Sequence, residues 1–284
     1  MMSPLFSRPV SMTRRVSFSS GHRYWLDGLS EEENRSLFGN WASRFNHGHN
    51  YVLDVTVEGH MDSTTCMILN IKRIDDLLKE RVVSKFDGKS VNDEVPGFQN
   101  TVPTTENMLL HIYDLLTAGS PLPEVVRLTH IKLAETPDLA VELIHLENQM
   151  QLTLTRSYEF AASHRLHVPS LSQEENREMF GKCNNPAGHG HNYILEVTVA
   201  GEPSPRTGMI ADLEALDAKV NELVVDRYDH KHLNHDVPEL QGLVPTSEIV
   251  AAKIFETLDG KLPAKLQKVR LQETARNAFE VSAP

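Results

Sequence analysis

Four segments of this chain occur twice at one fixed spacing. FSSGHR at 18–23 returns as FAASHR at 160–165, and LSEEENRSLFG at 29–39 returns as LSQEENREMFG at 171–181. HGHNY at 47–51 is repeated unchanged at 189–193, and VPTTE at 102–106 returns as VPTSE at 244–248. Each pair is 142 positions apart, with no insertion from the first pair to the last. Later, AET at 134–136 pairs with QET at 272–274, an offset of 138, so one connection is four residues shorter in the second copy. A repeat this long is two domains rather than a solenoid. The sequence thus divides into an extension 1–12, copy one at 13–149 and copy two at 150–284, with the junction near Asn148–Gln151.

Within one copy, residues 13–22 and 50–59 alternate apolar and polar side chains and are rich in β-branched residues, the pattern of half-buried strands. Ile71, Ile74, Leu77, Leu78 and Val82 fall at helical spacing, as do Leu213, Leu216, Val220, Leu223 and Val224. A second helix starts after Pro103 or Pro245, with Thr104 or Thr246 as N-cap. Residues 124–133 with 139–146, and 265–272 with 277–282, read as closing hairpins. Ser30 with Glu33, and Ser172 with Glu175, have capping-box spacing and start a short helix before each HGH. The order ββααββ predicts an α+β fold, each copy a four-stranded antiparallel sheet with helices on one face.

The net charge of −11 argues against nucleic acid or an anionic membrane as the main partner, since both select basic surfaces. No apolar run approaches the roughly 20 residues that span a bilayer. Residues 1–12 are too short, and too interrupted by Pro, Ser and Arg, for a secretory signal. Two cysteines do not make a disulfide framework. A cytoplasmic protein is expected.

Each copy carries His-x-His, His47 with His49 and His189 with His191. In a strand, such residues face the same side and can share one metal ion. A further histidine, His22 or His164, ends the preceding strand at the same offset. Three neutral imidazoles with one open position describe a catalytic zinc site. Buried histidines bonded only to backbone are the plain alternative, but three of the fourteen histidines recurring at matched offsets weigh against it.

The copies differ at positions that carry chemistry. GKCNNPAGHGH places Cys183 six residues before His189, where copy one has Trp41. A thiolate beside a metal can act as base or nucleophile, and an indole can do neither. YDHKHLN at 228–234 holds Asp229 and His230, an arrangement that tunes an imidazole for proton transfer. Copy one keeps Asp87 but has Gly88 in place of the histidine. Cys66 aligns with Gly208 and reads as a packing residue. Glu135 and Glu273 sit at strand ends, and Glu106 and Glu248 follow the Pro-Thr turns. Each is suited to grip a guanidine-like edge by two hydrogen bonds. For Glu106 and Glu248, a helix first turn is itself sufficient reason for a carboxylate.

In order along copy two, FAASHRL, LSQEEN, FGKCNNPAGHGHNY, YDHKHLN, VPTSE and QET resemble the 6-pyruvoyl-tetrahydropterin synthase family, which includes the 6-carboxytetrahydropterin synthases of queuosine biosynthesis. The resemblance covers both copies after about residue 12. It implies the tunnelling fold, whose units assemble side by side into a barrel of strands. It further implies His164, His189 and His191 as zinc ligands, Cys183 as the proton-abstracting base, and Asp229 with His230 as a proton relay. Glu273 is then the anchor of the pterin ring, with Thr246 and Glu248 also at the substrate. The implied reaction converts 7,8-dihydroneopterin triphosphate to 6-pyruvoyl-tetrahydropterin and releases triphosphate. Five residues separate Cys183 from His189, as in the pyruvoyl-forming branch, whereas the queuosine branch typically has a shorter gap. A 6-carboxytetrahydropterin synthase and a non-catalytic zinc- and pterin-binding protein are the two rival readings. Copy one keeps His22, His47, His49, Asp87 and Glu135, so it is expected to bind zinc without catalysing this reaction. Lys182, Arg165 and Lys231 are candidates for the triphosphate. The family's paired rings of three units imply a homotrimer of fused pairs, with first copies in one ring and second copies in the other.

Overall fold

Strand formation follows the alternation of apolar residues and runs further than that pattern alone indicates. In the computed structural model, which describes residues 4–146 and 149–284, β1 (Pro9–His22) pairs antiparallel with β2 (His47–His60). Their register is unbroken, from Pro9 opposite His60 to His22 opposite His47. Tyr51, Leu53, Val55 and Val57 of β2 are all at most 1% exposed, and the residues between them are partly exposed. The strand reaches back to Pro9, so the end of the expected 1–12 extension is strand; proline at a first strand position costs no ladder bond. Asn148, in the expected junction, lies outside the described residues.

β3 (Lys89–Ser90) is a two-residue strand parallel to β1, and β4 (Val126–Thr136) with β5 (Leu139–Leu146) forms the expected hairpin. The order is β3-β1-β2-β4-β5. In the second repeat, β6 (Gln149–His164), β7 (His189–Ala200), β8 (Lys231–His232), β9 (Lys265–Thr274) and β10 (Asn277–Ser282) run β8-β6-β7-β9-β10. The expectation of purely antiparallel sheets is corrected by β3 and β8, which make each sheet mixed. Their cause is local. Asp87 and Asp229 accept the Ser19 and Ala161 N–H groups, while Gly88 and His230 donate N–H to the carbonyls of those same residues. The segment that follows is thereby laid alongside the strand.

Helix starts follow their caps. α1 (Glu31–Phe38) and α4 (Gln173–Phe180) open with complete capping boxes from Ser30–Glu33 and Ser172–Glu175, a feature worth about 1 kcal/mol. α2 (Ile71–Leu78) and α5 (Leu213–Val220) each pass into one π-helical turn, Lys79–Val83 and Asn221–Val225. Ile74, Leu78, Val82, Leu216, Val220 and Val224 on these helices are at most 1% exposed. Thr104 and Thr246 cap α3 (Thr105–Thr117) and α6 (Ser247–Leu258) as expected. Among the described residues, no helix is long and apolar enough to cross a membrane.

The chain separates into two units. The first holds the described residues through Leu154 together with Gly201–Ile210, and the second holds Thr155–Ala200 and Ala211–Pro284. The ten residues after β7 therefore belong by their contacts to the first unit. Cys66, expected to be a packing residue, is exposed in a tight turn at φ 57°.

Candidate metal centres

The β1–β2 register sets His22 opposite His47, with His49 two residues on and facing the same side. His22 is fully buried, and its Nδ1–H donates to the carbonyl of Pro103 at 2.9 Å. That bond fixes the tautomer and leaves Nε2 unprotonated, buried and without a hydrogen-bond partner. His164 repeats the arrangement, with Nδ1–H donating to Pro245 at 2.9 Å. The proline that precedes each helix cap thus orients a ring from a distant strand.

In the first unit the ring centroids of His22, His47 and His49 lie 4.5, 5.2 and 5.0 Å apart. In the second, those of His164, His189 and His191 lie 4.7, 5.3 and 4.8 Å apart. Within each set, one nitrogen per ring falls within 4.8 Å of the other two. His164 Nε2 and His189 Nε2 are 3.3 Å apart, close to the separation of about 3.3 Å that tetrahedral bonding at roughly 2.0–2.1 Å produces. His49 Nε2 and His191 Nε2 are also buried without a hydrogen bond. Orphaned, converging lone pairs are costly unless a cation satisfies them, so both sets fit a metal ion.

The electrostatics agree, because a metal needs neutral imidazoles. Burial holds His47, His164, His189 and His191 below the ordinary histidine value, and pushes His22 down to about 4 against the bond to Pro103. In the metal-free chain this couples stability to pH. Unfolded, His22 takes up its proton near 6.5; folded, only near 4, so between these values the unfolded chain binds the extra proton. Stability is therefore expected to fall as pH drops through that window, by up to about 3 kcal/mol from this residue. Urea midpoints of chelator-treated protein against pH, compared with His22→Gln, measure it. An equal slope in the variant removes His22 as the cause.

A carboxylate borders each set. Glu135 Oε1 lies 3.3 Å from His49 Nε2, and its Oε2 accepts from Thr105 at 2.5 Å. Glu273 Oε1 lies 3.7 and 3.8 Å from His164 and His191 Nε2. Burial raises the Glu273 carboxyl, but hydrogen bonds from Asn277 and Ser247, both 2.8 Å, outweigh it and keep the group below the usual carboxylate range. Neither Ser247 nor Asn277 stood out in the sequence, although Ser247 immediately follows the Thr246 cap.

The two centres differ in what surrounds them. Cys183 lies in a one-turn helix, Gly181–Asn184, half-buried, with its carbonyl accepting from Leu166 N–H at 2.8 Å. That bond ties the thiol-bearing turn to the segment leaving His164. Among the described residues the metal-competent groups contain histidines alone, and the Cys183 sulfur is not among them. In the first unit the equivalent Trp41 packs 6.3 Å from Tyr24, which replaces Leu166. Tyr24 is 2% exposed, stands edge-on to His22 at 5.3 Å and hydrogen-bonds Thr105. Burial first, then Glu135 and Glu106, push its phenol well above its ordinary value. Sequence comparison singled out the lost thiol; the buried phenol at the same centre was visible only once its neighbours were known.

Asp229 Oδ2 accepts from His230 Nδ1–H at 2.7 Å. The His230 side chain is 84% exposed, and its backbone sits at φ 55°. Copy one has Gly88 at φ 71° in the same turn, the residue that suits a left-handed conformation. A histidine held there costs about 1 kcal/mol or more and points to selection for its ring. His230→Gly is accordingly expected to raise the melting temperature while cutting turnover by about 10²-fold or more. A variant that keeps full activity removes the ring from the chemistry.

An open cleft of 750 Å³ joins His191 to His230, Lys231 and His232; its counterpart at His49 and Gly88 is 460 Å³. Of the triphosphate candidates, Lys231 lines the larger cleft, while Arg165 and Lys182 line a separate 310 Å³ cleft with Arg177. Thr246 is occupied in capping α6. Glu248 is exposed, and no hydrogen bond or ion pair engages its carboxylate among the described residues, whereas Glu106 is 2% exposed.

A duplicated α+β scaffold with a three-histidine, metal-competent centre in each half defines the class. The model of the 6-pyruvoyl tetrahydropterin synthase family matches residues 11–145 and again 153–284, and the chain belongs to that family. It is 47% identical over 128 residues to the human 6-pyruvoyl tetrahydrobiopterin synthase, covering 45% of this chain and 88% of that protein. The synthase of Poecilia reticulata is 46% identical over 125 residues, 44% of this chain and 85% of the relative. The solved Caenorhabditis elegans 6-pyruvoyl tetrahydropterin synthase is 43% identical, covering 47% of this chain and 96% of its own, with a TM-score of 0.45. Each relative has the length of about one repeat.

Proposed function

We propose that the second repeat is a zinc-dependent 6-pyruvoyl-tetrahydropterin synthase, converting 7,8-dihydroneopterin triphosphate to 6-pyruvoyl-tetrahydropterin with release of triphosphate. The observation that carries this reading is the company of one metal-competent histidine set. Cys183 and the Asp229–His230 pair occur with His164, His189 and His191, and both are missing from the otherwise parallel first repeat.

His164, His189 and His191 hold the metal, which when bound supplies a Lewis acid toward the hydroxyls of the substrate side chain and acidifies the neighbouring C–H. Cys183, as thiolate, takes that proton. His230, oriented through its Nδ1–H by Asp229, passes a proton between side chain and solvent from the rim of the cleft. Glu273, held by Ser247 and Asn277, meets the substrate close to the metal, and the free Glu248 carboxylate is suited to the donor edge of the pterin. Lys231 faces the cleft where an anionic group leaves. The first repeat holds a metal through His22, His47 and His49 but has Trp41 and Gly88 in place of the base and the relay, with Tyr24 buried against its metal face.

The experiment is direct. Purified, zinc-loaded chain is incubated with dihydroneopterin triphosphate, and the products are identified by mass. The expected result is a pyruvoyl pterin and one triphosphate per turnover. A carboxy product moves the chain to the other branch, and unchanged substrate leaves a pterin-binding protein.

A further inference from the structure

Both repeats place two arginines at matched positions, and only the first repeat neutralises them. Arg23 donates to both oxygens of Asp93, each at 2.8 Å, and Arg35 donates to Glu31 at 3.0 Å. In the second repeat Arg165 and Arg177 stand at these positions, but His235 replaces Asp93 and Gln173 replaces Glu31. Each exchange removes a carboxylate and leaves its guanidinium. Arg165 Nε donates instead to the carbonyl of Asn184 at 3.3 Å, and its Nη2 lies 3.4 Å from His167 Nδ1. Arg177 is exposed, and its guanidinium makes no hydrogen bond or ion pair among the described residues.

The two arginines converge with Lys182 on the 310 Å³ cleft, where Gln173, Asn184 and Asn185 add side-chain amides. None of the residues lining it is acidic; Glu174 and Glu178 belong to α4 but stand outside the cleft wall. The repeats also trade one cation, with Lys182 in place of Asn40 and Pro186 in place of Arg44. Like charges gathered on one concave wall repel each other, and a bound polyanion removes that cost. In a chain of net charge −11 this is a local inversion of sign. Guanidinium forks and amide N–H groups suit phosphate oxygens. Cations supplied from three places, the segment after β6, α4 and the Gly181–Asn184 turn, match a chain of linked phosphates better than a single one.

We propose that this cleft is an oligophosphate-binding site, built in the second repeat and cancelled in the first by Glu31 and Asp93. Its rim is the turn that carries Cys183. Lys182 also acts on the second metal centre: burial chiefly holds His189 and His191 below the ordinary histidine value, and the Lys182 ammonium adds to that effect. The occupant is either the triphosphate group of the substrate or a free oligophosphate such as a nucleoside triphosphate. Only the first of these sources rests on the reaction proposed above.

Calorimetry with inorganic triphosphate tests the site without turnover. The zinc-loaded chain in magnesium-free buffer is expected to bind one equivalent with a micromolar dissociation constant that rises with salt, and to bind inorganic monophosphate at least about tenfold more weakly. Arg177→Gln removes an exposed cation, and Gln173→Glu restores the pairing that Glu31 gives Arg35. Each is expected to raise the dissociation constant for triphosphate about tenfold with an unchanged melting curve. A competition arm separates the sources. If inorganic triphosphate displaces dihydroneopterin triphosphate, the cleft holds the substrate, and Arg177→Gln raises KM about tenfold with kcat within about a factor of two. If inorganic triphosphate and ATP bind without changing substrate affinity, the cleft holds a free oligophosphate. Absence of binding, equal affinity for monophosphate, or unaltered affinity in either variant overturns the proposal. A chain that binds triphosphate as expected yet converts no substrate keeps the site and refutes only the proposed reaction.

Discussion

Cys183→Ala is expected to lower turnover of dihydroneopterin triphosphate by about 10²- to 10⁴-fold while the chain keeps two zinc ions. The thiol lies outside the ligand set, so in the proposed mechanism its removal deletes the base without removing a metal ligand. Its turn is tied to the segment leaving His164 by the carbonyl of residue 183, a backbone bond that alanine retains. Serine is the sharper comparison. It conserves size and hydrogen bonding, but a hydroxyl is a far weaker acid than a thiol, so Cys183→Ser should lose as much activity as alanine. If either variant turns over at the unaltered rate, the thiol has no part in the proton abstraction. If zinc is lost along with activity, Cys183 belongs to the metal centre and the ligand assignment must change.

Much of the scaffold was legible in the sequence because its signals are local or repeated. The capping boxes, the Thr104 and Thr246 caps and the closing hairpins each depend on a few neighbouring residues. The three-histidine sets were legible for a different reason: duplication gave two samples of one pattern, and the matched offsets stood out. What escaped was non-local or too short. β3 and β8 have two residues each, a single period of alternation and too few to form a pattern. Tyr24 looked like an ordinary substitution for leucine until its ring was found against His22 and its hydroxyl on Thr105. The contrast between Glu106 and Glu248 depends on a loop about a hundred residues away and has no signature in either VPTTE or VPTSE. Cys66 was read as packing because an apolar turn residue usually is, but it is exposed.

The separate ligand sets lead to the other large effect. His189→Ala leaves two rings at the second centre and is expected to drop the zinc content from two per chain toward one, with turnover falling to background. His47→Ala removes the same zinc equivalent from the first centre, yet turnover is expected to stay within about a factor of two, because no side chain is shared between the sets. The comparison is informative because the two substitutions are chemically identical and occupy equivalent positions, each the first residue of its strand and 142 positions apart. A general effect of metal loss on folding would lower activity in both variants alike. Chemistry confined to the second repeat predicts equal metal loss with opposite effects on rate. Should His47→Ala abolish turnover in a chain that still melts cooperatively and still holds the second zinc, the first centre takes part in the reaction, and Trp41, Gly88 and Tyr24 have to be reinterpreted as features of a working site.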